Sequence, residues 1–352
     1  MKTKRASDSK VTIGLDLGGR RHAYCVLDAS GEEVKAASMV NTRGQLEAMA
    51  RSYPRARVIM EAGMESPWVS RYLEALGMEV IVANPRKVRA IYRNERKSDE
   101  RDAQMLARIG RLDVTLLHPI THGSEEAQRD LMAIKLRDSL VRSRVAVINS
   151  IRFTLKSLGH EVSNPSSQRF HKTVREEVPP QCRSIIEPSV RALEAITTQT
   201  KELDTHLVKL AAERYPQTLY LQQVPGVGPI TALYFVLKVG DPSRFEHARD
   251  IGPFLGLCPR RDQSGDLDKQ LRISKSGDRY LRRLLVSSAQ YIMGPFGPES
   301  ALRLQGLKLA AEGTARAKKR AIVAIARKLA VLLLTLWKRQ LPYEAFPAAS
   351  QP

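Results

Sequence analysis

Residues 11–18 read Val-Thr-Ile-Gly-Leu-Asp-Leu-Gly, and this stretch decides the fold of the first part of the chain. Its β-branched and apolar residues predict a strand, and the Gly18-Gly19 pair predicts the turn that ends it. Asp16 is the acidic residue of this strand, and a carboxylate among apolar residues is costly unless it is paired or binds a cation. Asp16 is therefore a candidate metal ligand, although it could also bond backbone groups at the strand end.

The elements that follow residues 11–18 predict a mixed α/β unit. Hydrophobic patterning and turn residues predict four more strands, at 23–27, 33–40, 57–60 and 79–83. The same signals predict three helices, at 45–51, 68–76 and 99–109. Three successive strands and then alternating helices and strands are typical of a ribonuclease-H-like order. We therefore expect an RNase-H-like domain over residues 11–123.

The rest of the chain carries mainly helical signals. Apolar residues recur at spacings of three, four and seven in two segments of residues 124–215, which predicts long helices that pair as a coiled coil. Residues 160–180, rich in proline, predict a loop between these helices. The first helix carries basic residues such as Arg144, which could contact nucleic acid or be solvated charges on the flank of the coiled coil. Residues 216–345 predict a mostly helical domain, and residues 1–10 and 346–352 predict tails.

The charge of the chain points to a polyanionic partner. Lys and Arg number 57 against 37 Asp and Glu, which gives a formal net charge of +20. A chain this basic usually binds nucleic acid, although a solvated surface is the alternative. Three separate cysteines predict no disulfide framework, and the N-terminus and apolar runs resemble neither a signal peptide nor a membrane span. We therefore expect a cytoplasmic protein without a membrane partner.

Further carboxylates extend the candidate site around Asp16. Glu61 follows a buried-strand pattern, and Asp99 and Asp102 stand three residues apart at the start of a predicted helix, so both point to one side. Four such carboxylates could hold Mg²⁺ ions that stabilise the attacking and leaving oxygens at a phosphate. Alternatively, Asp99 and Asp102 only stabilise a helix N-terminus that is capped by Ser98.

Residues 224–229 resemble the turn of a helix-hairpin-helix, followed by a helix. Glycines in such a turn let backbone N–H groups approach a DNA phosphate, although an ordinary tight turn is the alternative. The candidate DNA-binding residues are the two turn glycines and four later cations: Gly226, Gly228, Arg260, Arg261, Lys275 and Arg279.

A candidate nucleophile follows the arginines. Ser264 lies in a predicted polar loop, and a serine can attack phosphorus when its proton is removed and the phosphate charge is neutralised. Ser274 and Ser276 are rivals for this role.

The motifs together resemble a known family, the DEDD-type transposases of insertion sequences, also called bridge-RNA-guided serine recombinases. The resemblance rests on seven stretches: Ile13–Asp16, Met60–Ala62, Asn84-Pro85, Lys97–Ala103, Pro225–Gly228, Gly256–Arg260 and Ser274–Asp278. It implies a RuvC-like N-terminal domain and a C-terminal transposase domain. It also implies that Asp16, Glu61, Asp99 and Asp102 are catalytic ligands of Mg²⁺ or Mn²⁺, and that Ser264 is the nucleophile.

The resemblance implies a mechanism and partners as well. Ser264 would form a covalent phosphoserine link to DNA, and a structured noncoding guide RNA would pair with donor and target DNA. The protein would act as a homo-oligomer, a dimer or tetramer, that shares its active sites between subunits and associates with a bacterial nucleoid. Two alternatives remain: a metal-dependent junction resolvase or nuclease that uses water, and a non-catalytic nucleic-acid-binding protein.

Overall fold

The computed structural model describes residues 10–91, 98–264 and 267–347, with the backbone alone at 89–91, 264 and 267–270. Most of the two predicted tails lies outside these residues. The chain forms two compact units, Met1–Glu125 and Glu126–Pro352, and each is described by itself. The predicted boundary between residues 215 and 216 falls inside the second unit and stays a prediction.

The first unit is built on a five-stranded mixed sheet. Its elements, in chain order, are β1 (Thr12–Asp16), β2 (Arg21–Leu27), β3 (Glu33–Val40), α1 (Arg43–Ser52), β4 (Arg57–Glu61), α2 (Ser66–Ala75), β5 (Glu79–Ala83), α3 (Pro85–Ile91) and α4 (Asp99–Leu112). The strand order is β3-β2-β1-β4-β5. The first three strands are antiparallel neighbours, and β4 and β5 run parallel to β1. The predicted α/β class is therefore confirmed for this unit.

The two faces of the sheet pack differently. On one face, apolar side chains such as Ile13 and Met60 join Leu46 of α1 and Leu73 of α2 in a buried cluster. On the other face, α4 approaches so closely that a Cβ atom added at Gly14 would lie 2.5 Å from the backbone nitrogen of Ala107. The helix therefore packs almost backbone to backbone against β1.

Small residues make this close approach possible. The carbonyl oxygen of Ala103 lies nearer still to the position of a Cβ at Gly14, and Gly110 faces the side chain of Ile59 in the same way. Ala103 and Ala107 also pack against Cys25 of β2. Since the side chains at this contact are so short, the position of α4 on the sheet is fixed by backbone contact.

The second unit begins with two long helices and a short helix between them. They are α5 (Glu125–Ser157), α6 (Phe170–Glu177) and α7 (Pro180–Arg214). Arg137 of α5 donates to Asp204 of α7 across 2.7 Å, and Asp130 accepts from Arg214 at 3.2 Å, so the two long helices run antiparallel. The prediction of two long helices is thereby confirmed.

The structure corrects one expectation for this region and excludes one of the two alternatives for Arg144. The predicted loop at 160–180 contains α6, because Phe170 and Val174 are fully buried against α5 and α7 and fix a helix between the prolines. Arg144 is only 7% exposed, so it is not a solvated flank charge.

The remaining helices surround one core, and they carry a separate hairpin. The elements are α8 (Thr218–Gln222), α9 (Pro229–Val239), α10 (Ile251–Leu255), β6 (Pro259–Ser264), β7 (Leu267–Ile273), α11 (Arg279–Met293), α12 (Ala301–Leu309) and α13 (Ala315–Arg339). Apolar residues of α9, α11 and α13 form the centre of this core. Among the described helices, the 25-residue α13 included, none has the length and hydropathy needed to cross a bilayer.

Candidate functional site

Asp16 and Glu61 end neighbouring parallel strands. Asp16 is the last residue of β1, Glu61 is the last residue of β4, and the residues immediately before them, Leu15 and Met60, are paired. Both acidic residues are half-buried. The sheet therefore brings these two carboxyl groups to the same edge, as expected for the carboxyl ends of parallel strands.

Both side chains project from the face that α4 covers. Gly14 contacts α4 directly, and Ile59 contacts Gly110 of that helix. Successive side chains of a strand point to opposite faces, so residues two apart share a face. Asp16 and Glu61, each two residues further along their strands, therefore point to the α4 side.

The first turn of α4 carries the other two carboxylates. Ser98 caps the helix, and its hydroxyl accepts a hydrogen bond from the backbone N–H of Arg101 at 3.3 Å. Asp99 lies one turn before Ala103, which contacts the sheet, and Asp102 is half-buried while Asp99 is exposed. The pattern of a capping serine followed by acidic residues therefore predicted the start of α4 correctly.

The direction of α4 places this turn near the strand ends. In the last turn of the helix, Arg111 donates to the carbonyl oxygen of Asp28 at 3.1 Å, just beyond the end of β2. Leu27 at that end of β2 pairs with Thr12, the first residue of β1. The last turn of α4 therefore lies at the start of β1, and its first turn lies toward the end where Asp16 stands.

The four carboxylates are thus placed on facing elements without forming a compact cluster. Within residues 10–91, 98–264 and 267–347, no three His, Cys, Asp or Glu side chains lie close enough together to hold a metal ion. The chemistry of the set still fits Mg²⁺ or Mn²⁺, because these ions accept carboxylate oxygens at sites that also keep water or substrate oxygens. The role of these residues as ligands stays a prediction.

The predicted hairpin turn in the second unit lies between α8 and α9. Gly226 has a φ of +83°, and a Cβ there would lie 2.9 Å from a ring carbon of Tyr291, so glycine is required. Gly228 is exposed and directly precedes α9. The geometry fits a tight turn between two helices, and the assignment as a DNA-binding helix-hairpin-helix stays a prediction.

The candidate nucleophile is in a strand, and the predicted polar loop was wrong at this point. Ser264 is the last residue of β6, and its backbone pairs with Leu267 of β7. Its side chain, together with Gly265 and Asp266, lies outside the described residues. Arg260 and Arg261 are exposed on the same strand. The strand was missed because these polar residues are exposed and show no alternation of apolar and polar side chains.

The rival serines belong to a hydrogen-bonded loop. The hydroxyl oxygens of Ser274 and Ser276 lie 2.7 Å apart, and the Ser276 hydroxyl also donates to the carbonyl oxygen of Pro253 at 3.3 Å. Lys275 between them has a φ of +54°, and Arg279 is the first residue of α11. These bonds hold the two serines within the turn that leads into α11.

Sequence reasoning assigned no role to Asp278, a half-buried carboxylate at the end of this loop. Asp278 caps α11 by accepting from the N–H of Leu281 at 2.9 Å, and it also accepts from the Tyr234 hydroxyl and the Lys238 ammonium group, both at 3.1 Å. Burial alone would raise the pKa of Asp278, but these three donors together hold it below its usual range. An Asp directly before a helical pattern was the available signal.

Comparison with known sequences identifies two family regions in the chain. Residues 13–159 match a family of transposases described as DEDD transposases of the IS110 type, and residues 219–305 match the transposase IS116/IS110/IS902 family. The first region contains Asp16, Glu61, Asp99 and Asp102. The second contains the glycine turn, the β6–β7 hairpin and Asp278.

Known proteins with similar sequences include two transposases and a gene-inverting protein. The transposase for insertion sequence element IS1328 of Yersinia enterocolitica is 30% identical, over 80% of this chain and 83% of that protein. The transposase for insertion sequence element IS1111A of Coxiella burnetii is 28% identical, over 97% of this chain and 93% of that protein. The pilin gene-inverting protein of Moraxella bovis is 28% identical, over 46% of this chain and 49% of that protein. This chain therefore belongs to the IS110/IS116 family of insertion-sequence transposases.

Proposed function

We propose that this transposase cuts and rejoins DNA at a site formed by Asp16, Glu61, Asp99 and Asp102, with Ser264 as the nucleophile. The supporting observation is the placement described above: two carboxylates end adjacent parallel strands, and both face the helix whose first turn carries the other two. The strand order β3-β2-β1-β4-β5 supports the assignment of this unit as RNase-H-like, of the RuvC-like kind.

The four carboxylates would hold a divalent metal ion, Mg²⁺ or Mn²⁺. When bound, the ion supplies positive charge that stabilises the oxygens around a reacting phosphorus. The chain contributes placement: the strand ends fix Asp16 and Glu61, and the close contact of α4 with Gly14 sets the distance at which Asp99 and Asp102 face them.

The serine would provide the covalent step. Its oxygen would form a bond to phosphorus as the bond from phosphorus to one bridging oxygen of the strand breaks. The hydroxyl proton would pass to the freed strand end, so the reaction is reversible and needs no water. Arg260 and Arg261, exposed on β6 four and three residues before Ser264, would neutralise charge on the phosphate.

The partners in this proposal are donor DNA, target DNA and a structured noncoding guide RNA. The net charge of +20 supports a protein that contacts many phosphates. Gly226 and Gly228 would expose backbone N–H groups to DNA, in a helix-hairpin-helix manner, and Lys275 and Arg279 would add cationic contacts. The active sites would be shared between the subunits of a homo-oligomer, a dimer or a tetramer.

A denaturing gel tests the serine and the carboxylates together. Purified protein is incubated with Mg²⁺, the flanking noncoding RNA of the element, and labelled donor and target DNA. We expect a protein–DNA adduct that survives denaturation, disappears in Ser264→Ala and in Asp102→Ala, and persists in the matched control Ser274→Ala. Leaving out the RNA should abolish the adduct if the RNA guides the reaction.

Other outcomes of this gel favour the alternative functions. Cleaved DNA without an adduct, at an unchanged level in Ser264→Ala, would support a nuclease or junction resolvase that uses water. DNA binding without any cleavage, in the unchanged protein and in Asp102→Ala alike, would support a non-catalytic role.

A further inference from the structure

The pair of long helices in the second unit contains a polar layer. Arg137 of α5 is bonded to Asp204 of α7, and the helices are antiparallel, so seven residues further on α5 Arg144 lies opposite Thr197. Beyond the Arg137–Asp204 pair on one side, Ile134 and Leu207 form a buried apolar layer, and Ile148 and Leu193 form another on the other side.

The polar atoms of this layer are buried without partners. Nε and Nη1 of Arg144, Oγ1 of Thr197 and Nδ1 of His171 on α6 have no hydrogen-bond partner among the residues that the structure describes. His171 is 7% exposed and Thr197 is 3% exposed. An unmade hydrogen bond leaves the desolvation cost of a buried polar group uncompensated, and this cost is larger for a charged group. The layer is therefore unfavourable in the free protein, and an acceptor that reaches Thr197 and His171 would offset part of this cost.

A cavity of about 450 Å³ opens at this layer. His171 and Thr197 line it, and so do the side chains of Arg169, Lys172 and Lys201. The three cations are exposed, and none of them forms an ion pair with a residue in the described part of the chain. The cavity thus combines buried hydrogen-bonding groups with three positive charges that are available to a ligand.

The acidic residue of the cavity wall is already neutralised. Glu194 lines the same cavity, and its carboxylate forms an ion pair with Arg175, with 2.9 Å between Oε2 and Nη1. Its charge therefore opposes an anionic ligand much less than a lone carboxylate would. Since cations outnumber acids around the cavity, the ligand should carry negative charge.

We propose that this cavity binds a phosphoryl group of a nucleic-acid strand, at a site separate from the carboxylates of the first unit. A phosphate offers several oxygens that accept hydrogen bonds, which suits a threonine hydroxyl, an imidazole N–H and three cations together. A strand is favoured over free phosphate because the cations are exposed and the family acts on DNA. The inference rests on DNA as a partner and does not depend on Ser264.

Inorganic phosphate is the first probe. The midpoint of thermal unfolding of the full chain is followed as phosphate replaces chloride at constant ionic strength. Lys172→Gln and Lys201→Gln should each weaken phosphate binding roughly tenfold, as expected for loss of one charge-assisted contact. Lys209→Gln removes the same charge from an exposed ion pair on α7, outside the cavity, and should leave binding unchanged.

Thr197→Val separates ligand binding from folding. It removes an unpaired buried hydroxyl at almost constant volume, so without phosphate the variant should be as stable as the unchanged protein or more so. With phosphate, its stabilisation should be reduced severalfold. A phosphate response that is the same in Thr197→Val, Lys172→Gln and Lys201→Gln as in the unchanged protein would overturn the proposed site.

A single-stranded 12-nucleotide DNA and an RNA of the same sequence identify the source of the phosphate. The slope of log affinity against log salt concentration measures how many phosphates the protein contacts. Lys172→Gln and Lys201→Gln should each reduce this slope for the oligonucleotides by about one contact, and Lys209→Gln should leave it unchanged. If phosphate binding changes but oligonucleotide binding does not, the cavity takes a free phosphate compound and the strand is ruled out. Ser264→Ala should keep both responses, so failure of the serine mechanism and failure of this site are distinguishable.

Discussion

Replacing Gly14 by alanine tests how closely α4 must lie on the sheet. The added Cβ would stand 2.5 Å from the nitrogen of Ala107, and ordinary contact begins at 3.4 Å, so this contact alone requires the helix to withdraw by about 1 Å. The carbonyl oxygen of Ala103 lies nearer to the added Cβ and requires a larger movement of the helix. Both atoms belong to the helix backbone and cannot turn aside, so we expect a loss of about 3 kcal/mol in the free energy of unfolding, at the upper end for overpacking.

The same shift should reduce activity. It moves the first turn of α4, with Asp99 and Asp102, away from the end of β1, and a misplacement of about 1 Å can cost on the order of a hundredfold in rate. Stability is measured by urea unfolding followed by circular dichroism, and activity by transposition of a marked element in cells and by cleavage of labelled DNA.

Gly44→Ala is the matched control. Gly44 lies in α1, is exposed, and an added Cβ there would meet no described atom within 4 Å. Alanine should stabilise this helix by up to about 1 kcal/mol and leave activity unchanged. If Gly14→Ala kept activity within threefold of the unchanged protein and its unfolding free energy within about 0.5 kcal/mol, the proposed role of the α4 contact would be refuted.

Three further predictions concern single side chains. Because the folded-state pKa of Asp278 is lowered, its contribution to stability is present above its ordinary pKa of 3.8 and is lost as the pH falls through the lower folded value; urea unfolding from pH 7 to pH 2 should show a steeper acid loss than in Asp278→Asn. Burial, reinforced by Glu33, raises the pKa of the Cys25 thiol to about 11, so at pH 8 a thiol reagent should modify half-buried Cys258 and spare Cys25 until the protein unfolds, as read by mass spectrometry. Ser98→Ala should remove the cap of α4 and cost about 1 kcal/mol in urea unfolding, whereas Ser98→Asn should restore most of it.

Local signals predicted much of the first unit. The strands at 33–40 and 79–83 agree with β3 and β5 residue for residue, and the start of α4 at Asp99 followed from its cap. No helix was predicted directly after the strand at 79–83, but α3 begins at Pro85, because proline suits the first position of a helix. Local patterns therefore predict the end of a strand or helix better than they predict the element that follows it.

Contacts between residues far apart in the chain could not be predicted from the sequence. Gly14 and Ala103 are both small residues in ordinary patterns, and nothing local shows that one lies against the other. Arg144 was grouped with exposed arginines because its spacing along α5 resembles theirs; only the antiparallel partner helix shows that it faces Thr197. The hairpin of β6 and β7 pairs two strands rich in polar residues, whose sequence shows no regular alternation of apolar and polar side chains.

The layer of Arg144 and Thr197 also bears on how two long helices find their correct alignment. Apolar layers tolerate a slip of one heptad, since one aliphatic pair resembles the next. Such a slip in one direction would set the guanidinium against Val190, which is fully buried among apolar residues. A polar position of this kind selects one register at a cost in stability. Exchanging both residues for leucine should therefore raise the melting temperature and permit misaligned pairs, which cross-linking between α5 and α7 would detect as a second set of distances.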